Sequence, residues 1–546
     1  MGLFIRKPFE ALQAEANASG KKTLKRVLGP WSLVALGVGV IIGAGLFSIT
    51  GTVAAGYTGP AITLSFAIAA LGCCFAGLCY AEFASMIPVA GSAYTYSYAT
   101  MGELIAWIIG WDLVLEYTVA ATTVSISWSR YLVVFLEGLD IHLPQALTAC
   151  PWDGGVVNIP AFLIVVLMSL FLIRGTEGSS IFNGFIVFLK VSVILIFVIL
   201  GWKYINTDNY TPYIPATKGV LGEYGFSGIL RGAAIVFFAF LGFDAVSTAA
   251  QETKNPKRNM PIGILVSLLV CTVLYMVFAH VMTGVAHYTA FSGQQGIAPV
   301  AIAIEHMGQA DAAGIIQPDY PWLNRAIVLS ILFGYCSVIM VTLLGQSRVF
   351  LSMSHDGLLP PFFSHINEKF RTPARSNLLF MVLVGLLAAF VPARLAGEMT
   401  SIGTLMAFTL VCAAVLVVRR TMPDVPRSFK TPLVPLIPIL GILTCLCMML
   451  FLPADTWIRL VLWMLIGLDI YVGYGMKHSK LEHGGDTRHG QVALNMIGLI
   501  LAVLCVITGL WHQQTVGWGE NKVLLIISFV FAFTHCAYYM WRIWRK

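Results

Sequence analysis

Charge is what this chain has least of. Only 11% of its 546 residues are charged while 58% are hydrophobic, too little polar surface for a water-soluble fold of this length. Catalytic signatures are missing as well. There is no Gly-rich phosphate loop ending in Gly-Lys-Ser/Thr, no Cys-x-x-Cys pair, no His-Glu-x-x-His and no nucleophile elbow. Neither an enzyme nor an ATP-driven pump is expected, and neither a metal site nor an organic cofactor. The eleven cysteines show no zinc-ligand spacing and no secreted-domain framework. They lie almost entirely in apolar stretches, with Cys150 alone in a loop, and read as small hydrophobes.

What the chain has in abundance is long apolar runs. A membrane-spanning helix takes about 20 apolar residues. Fourteen such segments can be marked, centred near residues 43, 71, 120, 165, 191, 239, 272, 338, 385, 409, 442, 466, 501 and 532. The fold class is therefore an all-α polytopic membrane protein. The first segment follows a polar tail and is too long for a signal-peptide core, so it reads as a retained helix. A net charge of +7 would suit nucleic acid, but the basic residues sort by membrane side instead. With the N-terminus inside, most of them fall on inner segments, among them Lys7, Arg174, Lys254, Arg348, Arg419 and Arg420. Only Lys203, Lys218, Arg231, Arg325, Arg394, Arg459 and Lys522 fall outside. That asymmetry is the one expected of a membrane protein with both termini in the cytoplasm. The partners expected are lipids and a small solute, not nucleic acid, and the location is the cell membrane.

Two of the apolar segments carry glycines in their middles, Leu36–Phe47 and Phe237–Val246. Glycine weakens a helix interior and bares backbone groups, which hydrocarbon cannot satisfy unless the break lines a protein-enclosed cavity. Small residues also permit close helix packing, but paired breaks point to a transporter's solute site. They fall in the first and sixth segments, so segments one to five and six to ten form two units of odd length, the second inverted across the membrane. The organisation expected is a cytoplasmic tail over residues 1–30, a first repeat over 31–205, a second over 206–420 and four further helices over 421–546. The third helix, from about Leu104 to Phe135, is longer than a perpendicular span needs. In the long outer loop, 287–321, the stretch from Pro299 to His306 reads either as a short helix over an outer vestibule or as an ordered loop.

At the first break, Gly43, Ala44 and Gly45 would present N–H groups at the start of a half-helix, where a carboxylate binds well. The second break, Phe238 to Gly242, offers carbonyls for an ammonium. Together the two would hold both ends of an α-amino acid without a charged side chain. Lys190 lies in the middle of the fifth helix with no acidic residue on that helix. An intramembrane ionisable group is a functional candidate. Burial disfavours a charged ammonium, which suits a proton carrier. A fixed charge standing where a sodium ion would otherwise sit, or a side chain reaching to an interface, are the other readings. On the third helix Asp112 and Glu116 share a face, with Arg130 near it, and Glu116 is the deeper candidate for a role at the site. Structural pairing with neighbouring helices is the alternative for these acids. Asp244 reads as a cap for the half-helix after the second break. Glu252 reads as a solvated anchor, and Tyr80, Tyr94, Tyr96 and Tyr98 as part of an interfacial belt.

Leu24–Trp31 leading into Gly39–Phe47, Trp111–Tyr117, Gly242–Thr248 with Glu252–Pro256, Asp356–Pro360, and Pro432–Pro438 with Asp455–Arg459 together resemble the amino acid–polyamine–organocation superfamily, in its cationic amino acid transporter branch. The resemblance covers nearly the whole chain. It implies a LeuT-like core of two inverted five-helix repeats plus four helices, and secondary transport of L-amino acids, coupled to protons in bacterial relatives. It places the substrate carboxylate at Ile41, Ala44 and Gly45 and the ammonium at Phe238, Ala239 and Leu241. It casts Lys190 as the proton-sensing lysine and Glu116 as the family's third-helix glutamate. Tyr335, or Cys336 one residue on, would limit the pocket. Many relatives have Thr where this chain has Ala44, and a bulky Tyr335 would leave little room for an arginine-sized substrate. The function expected is an L-amino acid importer driven by proton symport. An exchanger or uniporter without proton coupling, and a transporter-like amino acid sensor, are the alternatives.

Overall fold

The computed structural model describes residues 4–17, 26, 28–43, 45–89, 91–174, 177–217, 219–292, 299–310, 316–367, 370, 372–481, 487–516 and 522–544. The fold is mostly helical, and among the described residues ten helices are long and apolar enough to cross a membrane. One of these spans, Pro30–Met86, holds the first two expected crossings. Three shorter apolar helices, Ile159–Arg174, Ala374–Phe390 and Leu436–Leu450, stand among the long ones. Leucines and phenylalanines facing outward along them, such as Leu163, Leu167, Leu269 and Leu383, are exposed. Water would penalise that surface and lipid does not. The chain is a multi-pass membrane protein.

The two glycine-bearing segments are broken helices. The first runs as an α-helix from Pro30 to Ile41, where Ile42 turns extended at φ −75° and ψ 97°. Past the break the chain resumes as a π-helix over Gly45–Ile49, a single α-turn over Thr50–Val53 and a second π-helix over Ala54–Thr58. Such wide turns are rare and gather at functional sites. The second broken segment is an α-helix from Gly225 to Val236, then a 3-10 turn over Phe237–Phe240, then an α-helix over Phe243–Thr248. Its hinge is Gly242 at φ +105°, a conformation a side chain opposes. A Cβ there would also lie 2.0 Å from Val40 Cγ1 of the first segment. At Gly45 a Cβ would lie 2.2 Å from Ala239 Cα. The two breaks therefore touch backbone to backbone, and only glycine allows it.

The long helix Glu103–Glu137 crosses beside both breaks and packs against Pro321–His355 and Ala393–Thr421. At its start Glu103 N–H donates to Ile5 O, so the N-terminal tail lies at that end of the bundle. Lys7 Nζ reaches Asp356 at 2.8 Å there, and Tyr94 Oη donates to the same carboxylate at 2.7 Å. Two expectations are corrected at this end. Glu252 is not a solvated anchor: it is buried against Arg348 at 2.5 Å. Tyr80, Tyr94, Tyr96 and Tyr98 form no interfacial belt, since all four are buried among the helices. Arg130 does not join Asp112 and Glu116 but pairs with Asp153 at 3.0 Å at the far end of the long helix. In the long loop the Pro299–Glu305 helix is present, followed by a small hairpin, Gly308–Ala310 with Ile316–Pro318.

Candidate functional site

Where the breaks meet they enclose a small central cavity. Its walls include Ile41, Gly43 and Gly45 from the first broken helix and Phe238, Leu241 and Gly242 from the second. The long helix adds Glu116, Tyr117, Ala120 and Val124, and the Pro321–His355 helix adds Val338 and Thr342. The volume is about 20 Å³, room for about one water and far below the several hundred Å³ of a ligand site. The structure is closed around this centre.

Of the residues singled out from sequence, Ile41, Gly45, Phe238, Leu241 and Glu116 meet at this cavity. Ala44 lies outside the described residues. Ala239 does not line the cavity. Its carbonyl accepts from Tyr275 Oη at 2.8 Å, and the same hydroxyl reaches Ile41 O at 2.6 Å. A hydroxyl has one proton, so Tyr275 satisfies one of these carbonyls at a time and leaves the other open to a second donor. Tyr335 is buried outside the cavity. Its hydroxyl bonds Ser48 at 2.9 Å, and its ring packs against Phe47 and Tyr131 at centroid separations of 6.5 and 5.8 Å. Cys336 is also not a cavity wall: its thiol donates back to Leu332 O.

Lys190 is buried behind the first break. Its Nζ donates to Gly39 O at 2.7 Å and Ile42 O at 2.8 Å, which rules out a side chain extended to an interface. These carbonyls end the Pro30–Ile41 helix, where a cation suits both the bare oxygens and the helix dipole. Ser337 reaches Gly39 O as well, at 3.4 Å, and donates to Asn183 at 2.5 Å. Gly334 makes the space, since a Cβ there would lie 2.6 Å from Lys190 Cε. On the acidic side, one oxygen of Glu116 and both oxygens of the buried Asp112 have no hydrogen-bond partner among the described residues. Asp244 accepts from Tyr117 Oη at 2.8 Å and from Gly242 N–H at 3.3 Å, which steadies the second hinge from inside.

Sequence reasoning missed Tyr275, Val124, Val338 and Thr342. Tyr275 is one hydroxyl on the apolar Pro256–Val285 helix, with no spacing signal to mark it. The walls Val124 and Val338 look like any other lipid-soluble side chain until the break opposite them is placed.

The chain as a whole has counterparts among known proteins. The family model for amino acid permeases matches residues 28–468. The chain belongs to the amino acid permease family, within the amino acid–polyamine–organocation superfamily. It is similar to the branched-chain amino acid permease BcaP of Bacillus subtilis, 46% identical over 86% of this chain and 97% of that protein. The methylthioribose transporter of the same organism is 41% identical over 88% of the chain and 99% of its own length. The vacuolar cationic amino acid transporter 4 of Arabidopsis thaliana is 36% identical over 75% of the chain and 66% of its own length. These relatives are transporters, and the family is not an enzyme family.

Proposed function

We propose that this permease imports L-amino acids across the cell membrane by proton symport and alternating access. In this reading the fold is a LeuT-like core of two inverted five-helix repeats with four further helices, and both termini are cytoplasmic. The observation that carries it is the meeting of two broken helices at one cavity whose only charged wall residue, among the described residues, is Glu116. The N–H of Gly45 takes the substrate carboxylate, those of Leu46 and Phe47 already donating to Gly43 O in this closed state. The ammonium takes a carbonyl from the pair that Tyr275 shares, with Phe238 and Leu241 beside it. Ala120, Val124, Val338 and Thr342 face the side chain, and this mostly apolar wall suits small and branched aliphatic residues. The name of the Bacillus subtilis BcaP relative supports that choice. The methylthioribose transporter, almost as similar, supports leaving specificity to the wall residues and not to the shared backbone. Lys190 couples proton to substrate through the carbonyl end of the first broken helix: the charged ammonium holds Gly39 O and Ile42 O strongly, and the neutral amine, with two weaker N–H donors and no charge, holds them less and frees that end to move.

One observation favours a second reading. With Nζ already on two carbonyls, Lys190 can act as a fixed charge, and the protein would then exchange amino acids without protons. A thermal-shift screen of the purified protein against the common L-amino acids at two pH values tests the substrate assignment. The expected result is stabilisation by valine, leucine and isoleucine but not by lysine or arginine, about 2.7 kcal/mol at a hundred times the Kd. Stabilisation by no amino acid would contradict it.

A further inference from the structure

A second cavity, larger than the central one, lies apart from it. It opens at the end of the bundle away from the N-terminal tail and measures about 710 Å³, within the range of small-molecule sites. The long helix Glu103–Glu137 contributes Ile126, Arg130, Val134 and Glu137 to its wall. None of these also lines the central cavity, and since Val134 is in line with Glu116 at about 100° per residue, the crevice lies farther along the same side of that helix. Asn158 lines it from the start of the Ile159–Arg174 helix, and Ile302 and Glu305 line it from the loop helix Pro299–Glu305.

The polar groups here are sorted by sign and depth. Asn158 is only 2% exposed. Its Oδ1 accepts from Ser129 Oγ at 2.6 Å and from Ala161 N–H at 3.1 Å, while its Nδ2 has no partner among the described residues. An amide in that position offers two free N–H donors to whatever fills the cavity. Arg130, paired with Asp153 at 3.0 Å, adds a guanidinium to the same wall. At the exposed rim, Glu137 and Glu305 have no ion-pair partner among the described residues. A buried amide donor at Asn158, the Arg130–Asp153 pair, carboxylates of Glu137 and Glu305 at the mouth and an aliphatic lining from Ile126, Val134 and Ile302 offer groups for both ends of a zwitterion with an apolar side chain.

We propose that this crevice is a second amino acid site, separate from the central cavity and linked to it through the loop helix. The proposal rests on the reading of this permease as an amino acid transporter. The ligand's carboxylate meets Asn158 Nδ2 and Arg130, and its ammonium meets Glu305 and Glu137. The link is steric. Pro299, at the head of the loop helix, presses on Gly51 in the second half of the first broken helix, where a Cβ would lie 2.3 Å from Pro299 Cβ. A ligand that holds Ile302 and Glu305 in place therefore also holds the segment that must move for the central cavity to open.

Equilibrium binding of tritiated L-isoleucine to the full chain in nanodiscs tests it. About two molecules per chain are expected. Asn158→Asp keeps the oxygen that accepts from Ser129 and Ala161 but replaces the free amide with a carboxylate, and Glu305→Gln removes a rim charge without touching the core. Each should weaken one of the two sites at least tenfold and leave the other's affinity unchanged. One molecule per chain, unaffected by either variant, would overturn the second site while leaving the central one standing. No binding at all would instead overturn the reading of the protein as an amino acid carrier.

Discussion

Two side chains, Lys190 and Tyr275, set the terms at the residue scale, because each holds backbone carbonyls that a broken helix leaves bare. Lys190→Ala should keep amino acid binding within a few fold and lose proton-driven accumulation in proteoliposomes; retained uphill uptake would remove Lys190 from the coupling. Tyr275→Phe deletes the hydroxyl shared by Ile41 O and Ala239 O at 2.6 and 2.8 Å. An unmade buried hydrogen bond costs about 1–3 kcal/mol. Titration calorimetry should therefore show substrate affinity at least several-fold weaker, and unchanged affinity would mean that the pair of carbonyls has no part in binding. Lys190 was legible in the sequence because a lone cation in an apolar helix needs a partner. Its partners were not, since they are backbone oxygens of a distant segment. The neighbours of Tyr335 were equally hidden, since a large residue on that helix can face either of two sides, and here it joins the cluster of Phe47 and Tyr131.

Among the elements, the glycines of the two breaks were the most readable feature, because hydrocarbon makes a bare backbone so unfavourable that few arrangements excuse one. The form of the broken helices was less so: nothing local to residues 45–58 announces two π-helical turns, which depend on what packs around them. The buried tyrosines of Ser92–Thr100 were misplaced for want of the same information, since burial at a helix end depends on the N-terminal tail and on Asp356 covering it. Gly242→Ala tests the hinge. The φ of +105° and the 2.0 Å approach to Val40 both oppose a methyl group. Strain of this kind amounts to about 1–3 kcal/mol, so a fall in melting temperature together with loss of transport is expected, and a variant with wild-type transport would contradict the proposed role of the hinge. The Glu252–Arg348 pair fastens the loop after the second broken helix to the Pro321–His355 helix at 2.5 Å. Removing one partner of a buried pair typically costs about 3–5 kcal/mol. Arg348→Met should accordingly lower the thermal midpoint markedly, whereas exchanging Lys203 at the surface should not.

For the whole molecule, alternating access requires a closed state around the central site, and the cavity of about 20 Å³ describes one. The family and the membrane character follow from chain-long features, apolar runs and motif spacing, which is why they were legible early. The substrate and its driving force depend on a few wall atoms and one ammonium, which composition cannot report. The measurement closest to the central claim is uptake of tritiated L-isoleucine into proteoliposomes loaded with no amino acid, with an inwardly directed proton gradient imposed by dilution and then collapsed with an ionophore. The account predicts accumulation above the external concentration that disappears when the gradient is collapsed. Uptake that needs an internal amino acid and ignores the gradient would contradict it.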